Sequence, residues 1–353
     1  MSAGNIAPLS MLLTGRQRTA LAAALLAAAC AAATGRTEPF VPAAPCELDN
    51  VERIVAVGDV HGAYDRFLGI LKTAQVIDAG NKWSGGKTHL VQTGDVLDRG
   101  PDSRKVLEFL RRLAKEASSA GGAVHSLMGN HEAMRLVRDY RYVDPGEYEA
   151  FVTRDSEEIR RQALESVPAN QRAAAAETTP LGMVEMLRAF RPDQDLGIYL
   201  RTLDPVIRIN GIVFMHGGIS PAVALMSCTA INDTVRRELG RDLEKTRAEL
   251  TKALSTREDG PMWYRGLALE PEDSFAPEFE KILAAQGARM FVLGHTAEPG
   301  PIRTRFNKRV FLIDTGMQPA YLPTGRASAL EIRGDVVTAI YADGQQVLRG
   351  GGK

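Results

Sequence analysis

The chain has 353 residues, enough for one large or two smaller domains with a true hydrophobic core. Lysine plus arginine and aspartate plus glutamate both total 43, so the formal net charge is zero. That balance gives no electrostatic reason to expect nucleic acid or an anionic membrane surface as partner, and the composition is otherwise that of an ordinary soluble globular protein.

At the start of the chain, Arg16 and Arg18 precede a small apolar run from Ala20 to Ala33. The run is shorter than the roughly 18–20 residues that span a bilayer. A basic stretch, a short apolar stretch and Ala-x-Ala sites at 27–29 and 31–33 predict a cleavable export signal over 1–33, and hence an exported, periplasmic protein with no membrane span. The alternative is a lipoprotein anchored at Cys30, for which the preceding "LAAA" is a poor fit. Gln17 separates the two arginines, so a twin-arginine signal is not supported. With Cys30 removed, Cys46 and Cys228 remain, and either a bridge or two buried free thiols suits the sequence. Residues 34–50, rich in proline and small residues, read as a linker.

Residues 51–345 read as one folded domain. "RIVAV" is an apolar, β-branched strand running into the loop "GDVHG" at 58–62, followed by a helix with Phe67, Ile70, Leu71 and Ala74 on one face. The unit repeats: "HLVQT" runs into "GDVLDRG" at 94–100, and the next helix opens with Pro101 and Asp102 and stripes Val106, Leu110 and Leu113. A third strand, "AVHSLM", runs into "GNHE" at 129–132. Strands alternating with helices predict a largely parallel sheet. A charged, Ala-rich stretch over about 137–195 reads as a helical cap insertion, either a solvated hairpin or a lid. Beyond it, "VIRI-NG-IVFM" at 206–215 is a hairpin with Asn210-Gly211 in a type I′ turn. "HGG" at 216–218 follows directly. "RMFVL" leads into "GHT" at 294–296, "RVFLIDTG" supplies another strand, and "ALEI-RGD-VVTAIYA" a last hairpin. The sum is an α/β fold of two packed mixed sheets flanked by helices.

Five short motifs each end or follow a predicted strand, and in α/β sheets ligand sites gather at the carboxyl ends of strands. Their convergence would bring Asp59, His61, Asp95, Asn130, His216 and His295 into one volume. These oxygen and nitrogen donors suit manganese, iron or zinc rather than soft copper. His89 and His125, inside strand runs, read as core or edge histidines.

The pattern GD-x-HG, GD-x-x-DRG, GNHE and HGG resembles the calcineurin-like metallophosphoesterases, in their phosphoprotein phosphatase branch. "GDVLDRG", "LMGNHE", "GPMWYRG", "GHT" and "TRFN…IDTGM" are most similar to the Shewanella-like protein phosphatase subgroup, over about residues 53–320. The resemblance implies a four-layer αββα fold with two divalent ions, manganese before iron or zinc. Asp59 and His61 would hold one ion, Asp95 would bridge both, and Asn130, His216 and His295 would hold the other. It further implies His131 as general acid oriented by Asp98, Glu132 as an anchor behind them, and Arg99, Asn130 and Arg265 as phosphate-binding groups. Arg265 lies in a stretch that departs from the eukaryotic wording. Ala297 stands where many broader relatives carry another histidine ligand.

Two divalent cations against the Asp59 and Asp95 carboxylates leave a net positive pocket, able to acidify a water and hold a phosphate dianion. The expected activity is phosphomonoester hydrolysis on a phosphorylated protein or peptide, leaning towards phosphotyrosine. The alternatives are a phosphodiesterase or dinucleoside polyphosphate hydrolase on the same centre, and a catalytically silent metal- and phosphate-binding module.

Overall fold

The computed structural model describes residues 45–240 and 247–350. The expected export signal over 1–33, the lipoprotein alternative at Cys30 and most of the expected linker lie outside the described residues. No helix among the described residues is long and apolar enough to cross a membrane.

Two six-stranded mixed sheets form the centre. The strands are β1 (Glu47–Leu48), β2 (Ile54–Val57), β3 (His89–Gln92), β4 (Ala123–Ser126), β5 (Val206–Ile209), β6 (Ile212–Met215), β7 (Met290–Leu293), β8 (Arg303–Arg305), β9 (Val310–Leu312), β10 (Ser328–Arg333), β11 (Val336–Tyr341) and β12 (Gly344–Arg349). One sheet has the order β12-β11-β10-β2-β3-β4, the other β1-β5-β6-β7-β9-β8. β2, β3 and β4 run parallel, as the βαβ repeats predict, and so do β6, β7 and β9. Antiparallel strands complete both sheets.

The helices are α1 (Tyr64–Thr73), α2 (Ser103–Ser119), α3 (Asn130–Leu136), α4 (Pro145–Glu149), α5 (Ser156–Glu165), α6 (Arg172–Thr178), α7 (Met183–Ala189), α8 (Asp195–Thr202), α9 (Cys228–Glu238) and α10 (Glu272–Ala285), besides shorter turns. Strand alternation builds the layers. Ile54 and Ala56 join Ile212, Phe214, Val292 and Phe311 in the core between the sheets. Their neighbours Val55 and Val57 share the other core with Phe67, Leu71 and Leu110 of α1 and α2, and with Ile231 and Phe279 of α9 and α10. Both faces of the strands are covered, so they read as unbroken apolar runs rather than an apolar–polar alternation.

Two expected boundaries move. The end of the expected linker is strand β1, parallel to β5 with Glu47 opposite Arg208. It is held there because Asn210, in the β5–β6 turn, accepts from Val51 N at 3.1 Å and donates to Val51 O at 2.7 Å. The last sheet strand, β12, runs to Arg349 rather than stopping at 345. Its sequence "GQQVLR" lies at the sheet edge with four exposed residues, so no apolar period marks it. Cys46 and Cys228 are paired as a disulfide with Cα atoms 6.2 Å apart, which ties the arm before β1 to the first residue of α9. His125 Nε2 meets His89 Nδ1 at 3.0 Å across adjacent strands, and burial lowers the proton affinity of His125 to a pKa of about 4.

The stretch 137–195 is helical. Ala163, Val167, Ala175 and Val184 make a small core of their own, while Phe151, Met186, Leu187 and Phe190 join the main one.

Candidate active site

The carboxyl ends of six strands deliver the site. Asp59 and His61 follow β2; Asp95, Asp98 and Arg99 follow β3; Asn130, His131 and Glu132 follow β4. His216, His295 and Asp314 follow β6, β7 and β9. The loops turn sharply: His61 (φ 47°), Asp95 (58°), Asp98 (66°), Arg99 (65°) and His295 (65°) all adopt the left-handed backbone. Such conformations cost side-chain-bearing residues of order 1–3 kcal/mol each and persist where the surroundings over-determine them. Gly94 and Gly129 let two of these loops touch: a Cβ on Gly129 would lie 2.2 Å from Asp95 Oδ1, and one on Gly94 2.4 Å from Gly129 N.

For the loop that carries Asp95, Glu132 supplies that over-determination. Its buried carboxylate accepts four backbone N–H groups: from Asp95 at 2.7 Å, Gly129 at 2.8 Å, Val96 at 2.9 Å and Leu97 at 3.1 Å. "GNHE" thus ends a strand by fastening the neighbouring "GDVLDRG" loop to it. Asp95 Oδ1 in turn accepts His131 N at 2.9 Å.

The remaining Asp95 oxygen is central. Oδ2 lies 3.2 Å from His216 Nε2 and 3.7 Å from Nε2 of both His61 and His131. Asn130 Oδ1 lies 2.9 Å from His216 Nε2. Asp59 accepts His295 N at 3.0 Å and approaches His61 Nε2 at 3.9 Å. Two sets of donors, His61–Asp95–His131 and Asp95–His216–His295, each lie within 4.8 Å of one another and share Asp95.

The donors fit divalent ions. His61 Nδ1 faces the Leu97 carbonyl at 2.8 Å, His216 Nδ1 the Thr93 carbonyl at 3.0 Å, and His295 Nε2 the Trp263 carbonyl at 3.1 Å. A ring nitrogen that donates to a carbonyl fixes the tautomer and leaves the lone pair of the other nitrogen for a metal, the His295 Nδ1 lone pair facing Arg265 Nη2 at 3.5 Å. Burial lowers His61 to a pKa of about 4 and takes His295 well below the usual range, so both are neutral. Burial, reinforced by the Asp314 and Asp95 charges, drives the Asp59 pKa well above the usual carboxylate range. A bound cation relieves that crowding.

The comparisons with known proteins agree. The family model for calcineurin-like phosphoesterases matches residues 52–299. The chain belongs to the calcineurin-like phosphoesterase family. It is a metallophosphoesterase, a hydrolase, of a family that uses a dinuclear metal centre. Shewanella-like protein phosphatase 1 of Plasmodium berghei is 30% identical over 276 residues, 76% of this chain and 69% of that one. Shewanella-like protein phosphatase 2 of Arabidopsis thaliana is 29% identical over 305 residues, 81% and 76% of the two chains. Among solved structures, a cold-active protein-tyrosine phosphatase of a psychrophilic Shewanella species is 28% identical with a TM-score of 0.69, over 87% of this chain and 83% of that one.

Beside the candidate metal donors of the phosphoesterase, His131 Nδ1 donates to Asp98 Oδ2 at 2.6 Å. Burial works against a second proton on His131, but the Asp95 and Asp98 carboxylates outweigh it and raise its affinity above the usual value. Burial would raise Asp98, yet Arg135 and His131 hold its carboxyl below the usual range. Arg99 is half-buried, its guanidinium carbon 3.7 Å from the Tyr321 ring centroid and 4.7 Å from that of Tyr142. Among the described residues, its buried Nε has no hydrogen-bond partner. Arg265 is more committed: Nη1 donates to the His295 carbonyl at 2.6 Å and to Thr296 Oγ1 at 3.2 Å, bracing the loop that carries His295.

Sequence reasoning missed Asp314, Arg135, Glu147, Tyr142 and Tyr321 in this phosphoesterase. Asp314 carried a signal, since "FLIDTG" ends a strand in an acid as "RIVAVGD" does. The others come from stretches without a motif.

Proposed function

We propose that this metallophosphoesterase is an exported phosphomonoesterase that removes phosphate from protein or peptide, with a preference for phosphotyrosine and with manganese, before iron or zinc, in its two metal positions. The observation that carries the catalytic reading is His131, hydrogen-bonded through Nδ1 to Asp98 beside the converged donors. A module that only bound phosphate would need no proton donor there. Bound divalent ions supply the Lewis acidity that activates a water and offsets the phosphate charge. Arg99 presents its planar fork to two phosphate oxygens, the Asn130 amide assists, and Arg265 holds the His295 loop and offers a second cationic group. His131 Nε2 gives its proton to the leaving oxygen while Asp98 fixes the ring.

Two features support the aryl preference. Tyr142 and Tyr321, 41% and 39% exposed, form an aromatic rim around Arg99, and the similar Shewanella protein is a protein-tyrosine phosphatase. Aromatic pairs contribute about 0.5–1.5 kcal/mol beyond burial. Metal-reconstituted protein is therefore expected to turn over a phosphotyrosine peptide faster, in kcat/KM, than a phosphoserine peptide, a bis-phosphodiester or a dinucleoside polyphosphate. Tyr321→Ala should cost about 3- to 10-fold more on the phosphotyrosine than on the phosphoserine peptide. A diester or polyphosphate at the head of the panel would replace this reading.

Export draws on the signal-like sequence over 1–33 and on the Cys46–Cys228 bridge, which suits an oxidising compartment. Fractionation of cells producing the full chain is expected to place the phosphatase in the periplasm. Recovery in the cytosol with its leader uncut would end that part.

A further inference from the structure

The groups behind His131 and Asp98 lead into the helical insertion. Asp98 divides its carboxylate: Oδ2 accepts from His131 Nδ1, and Oδ1 accepts from Arg135 Nη2 at 2.7 Å. The same Nη2 donates to Glu147 Oε2 at 3.0 Å. Arg135 is in α3, five residues after Asn130, whereas Glu147 belongs to α4, the first helix of the insertion. The side chains of His131, Asp98, Arg135 and Glu147 are all within 2% of full burial. The Arg135 guanidinium also packs over the Phe190 ring at 4.8 Å and touches Met186 Sδ at 3.5 Å, both from the insertion. The strand-end loop and the insertion meet a second time where Tyr142 O accepts Arg99 N at 2.9 Å.

A buried guanidinium shared by two carboxylates adds little net stability over well-packed apolar side chains. What it supplies is orientation. Asp98 can hold the His131 ring in one attitude only if its own carboxylate cannot turn. Arg135 fixes the oxygen that His131 does not use, and Glu147 fixes Arg135. We propose that Arg135 and Glu147 are positioning residues for leaving-group protonation, so that the helical insertion is part of the proton-donating apparatus and not merely a cover over the site. The proposal rests on the reading of His131 as the proton donor.

The test is a series of phosphate monoesters of rising leaving-group basicity, from p-nitrophenyl through phenyl to alkyl phosphate, run on manganese-loaded full-length protein. The variants are His131→Asn, Glu147→Gln, Glu147→Asp and Arg135→Lys. His131→Asn should steepen the dependence of kcat on leaving-group basicity. Glu147→Gln should steepen it in the same sense but less, losing about 10-fold in kcat on the alkyl ester and about 2-fold on p-nitrophenyl phosphate, with KM nearly unchanged. Glu147→Asp should recover part of the loss. Arg135→Lys, which keeps the charge but puts a shorter, tetrahedral ammonium in place of the planar Nη2 that reaches both carboxylates, should repeat the steepening and serves if Glu147→Gln folds poorly. A steep His131→Asn profile beside flat Glu147→Gln and Arg135→Lys profiles, with losses uniform across the series, would overturn the positioning role and leave the acid intact. A flat His131→Asn profile would instead overturn the acid reading, and the proposal with it.

Discussion

Asp95→Asn is expected to lower kcat/KM by about 10³-fold or more and to weaken retention of both metal ions. Asp95 Oδ2 is the atom that the two donor sets share, 3.2 Å from His216 Nε2 and 3.7 Å from Nε2 of His61 and of His131. Its other oxygen accepts the His131 backbone N–H at 2.9 Å. An amide has one oxygen for these two tasks. Turned inward, the oxygen leaves an NH₂ against the His131 N–H, two donors facing each other. Turned outward, it presents donors to the metal positions. Either arrangement also removes the negative charge that a bridging group between two cations supplies. A loss of about 4 kcal/mol of transition-state stabilisation is a factor of about 10³ in rate, and metal-derived Lewis acidity is worth that much. Elemental analysis after dialysis, beside kcat/KM on a phosphotyrosine peptide, decides it. A variant that keeps two ions per chain and more than a tenth of the activity would show that Asp95 is not the shared ligand.

Much of this centre is legible because its donors sit where local pattern and topology coincide. "RIVAV", "HLVQT" and "AVHSLM" announce their strands by β-branched apolar content, and βαβ connectivity makes them parallel, so the loops after them must lie at one edge. Asp59, His61, Asp95 and Asn130 are thereby brought to one edge of the sheet. His216 and His295 come from the second sheet, and the same rule of strand ends extends to them.

What stays hidden is whatever depends on a partner far along the chain. Glu147 looks like one acid among many on a charged, helical stretch, and only the packing of α4 against α3 shows that it meets Arg135. Tyr321 lies in "PAYLPTG", which reads as a turn, yet its ring closes over Arg99 from more than two hundred residues away. β1 spans two residues and exists because Asn210 and β5 receive it, a long-range pairing that propensity cannot express. The Cys46–Cys228 bridge is the same kind of fact: the residue types were visible, the separation was not.

The second large effect is on stability and concerns Glu132, whose carboxylate bonds backbone N–H groups of two loops. Glu132→Ala is expected to lower the free energy of unfolding by about 4 kcal/mol or more, a large part of the roughly 5–15 kcal/mol typical of a domain. The carboxylate is 1% exposed and accepts four backbone N–H groups from two loops. Each donor left buried without a partner costs about 1–3 kcal/mol, less whatever a penetrating water restores. The loop it holds also carries Asp95 and Asp98 with left-handed backbone, so losing these bonds removes the support that keeps the strained turns in place. Glu132→Gln separates charge from hydrogen bonding. One amide oxygen still serves two of the four donors, while the NH₂ faces the other two, and the loss should be about half that of alanine. Urea unfolding of both variants gives the ordering: alanine worst, glutamine intermediate, with a lowered midpoint and an unchanged slope. If Glu132→Ala unfolds at the wild-type midpoint, the "GDVLDRG" loop is held by something other than this carboxylate, and the account of why the strand ends in "GNHE" fails.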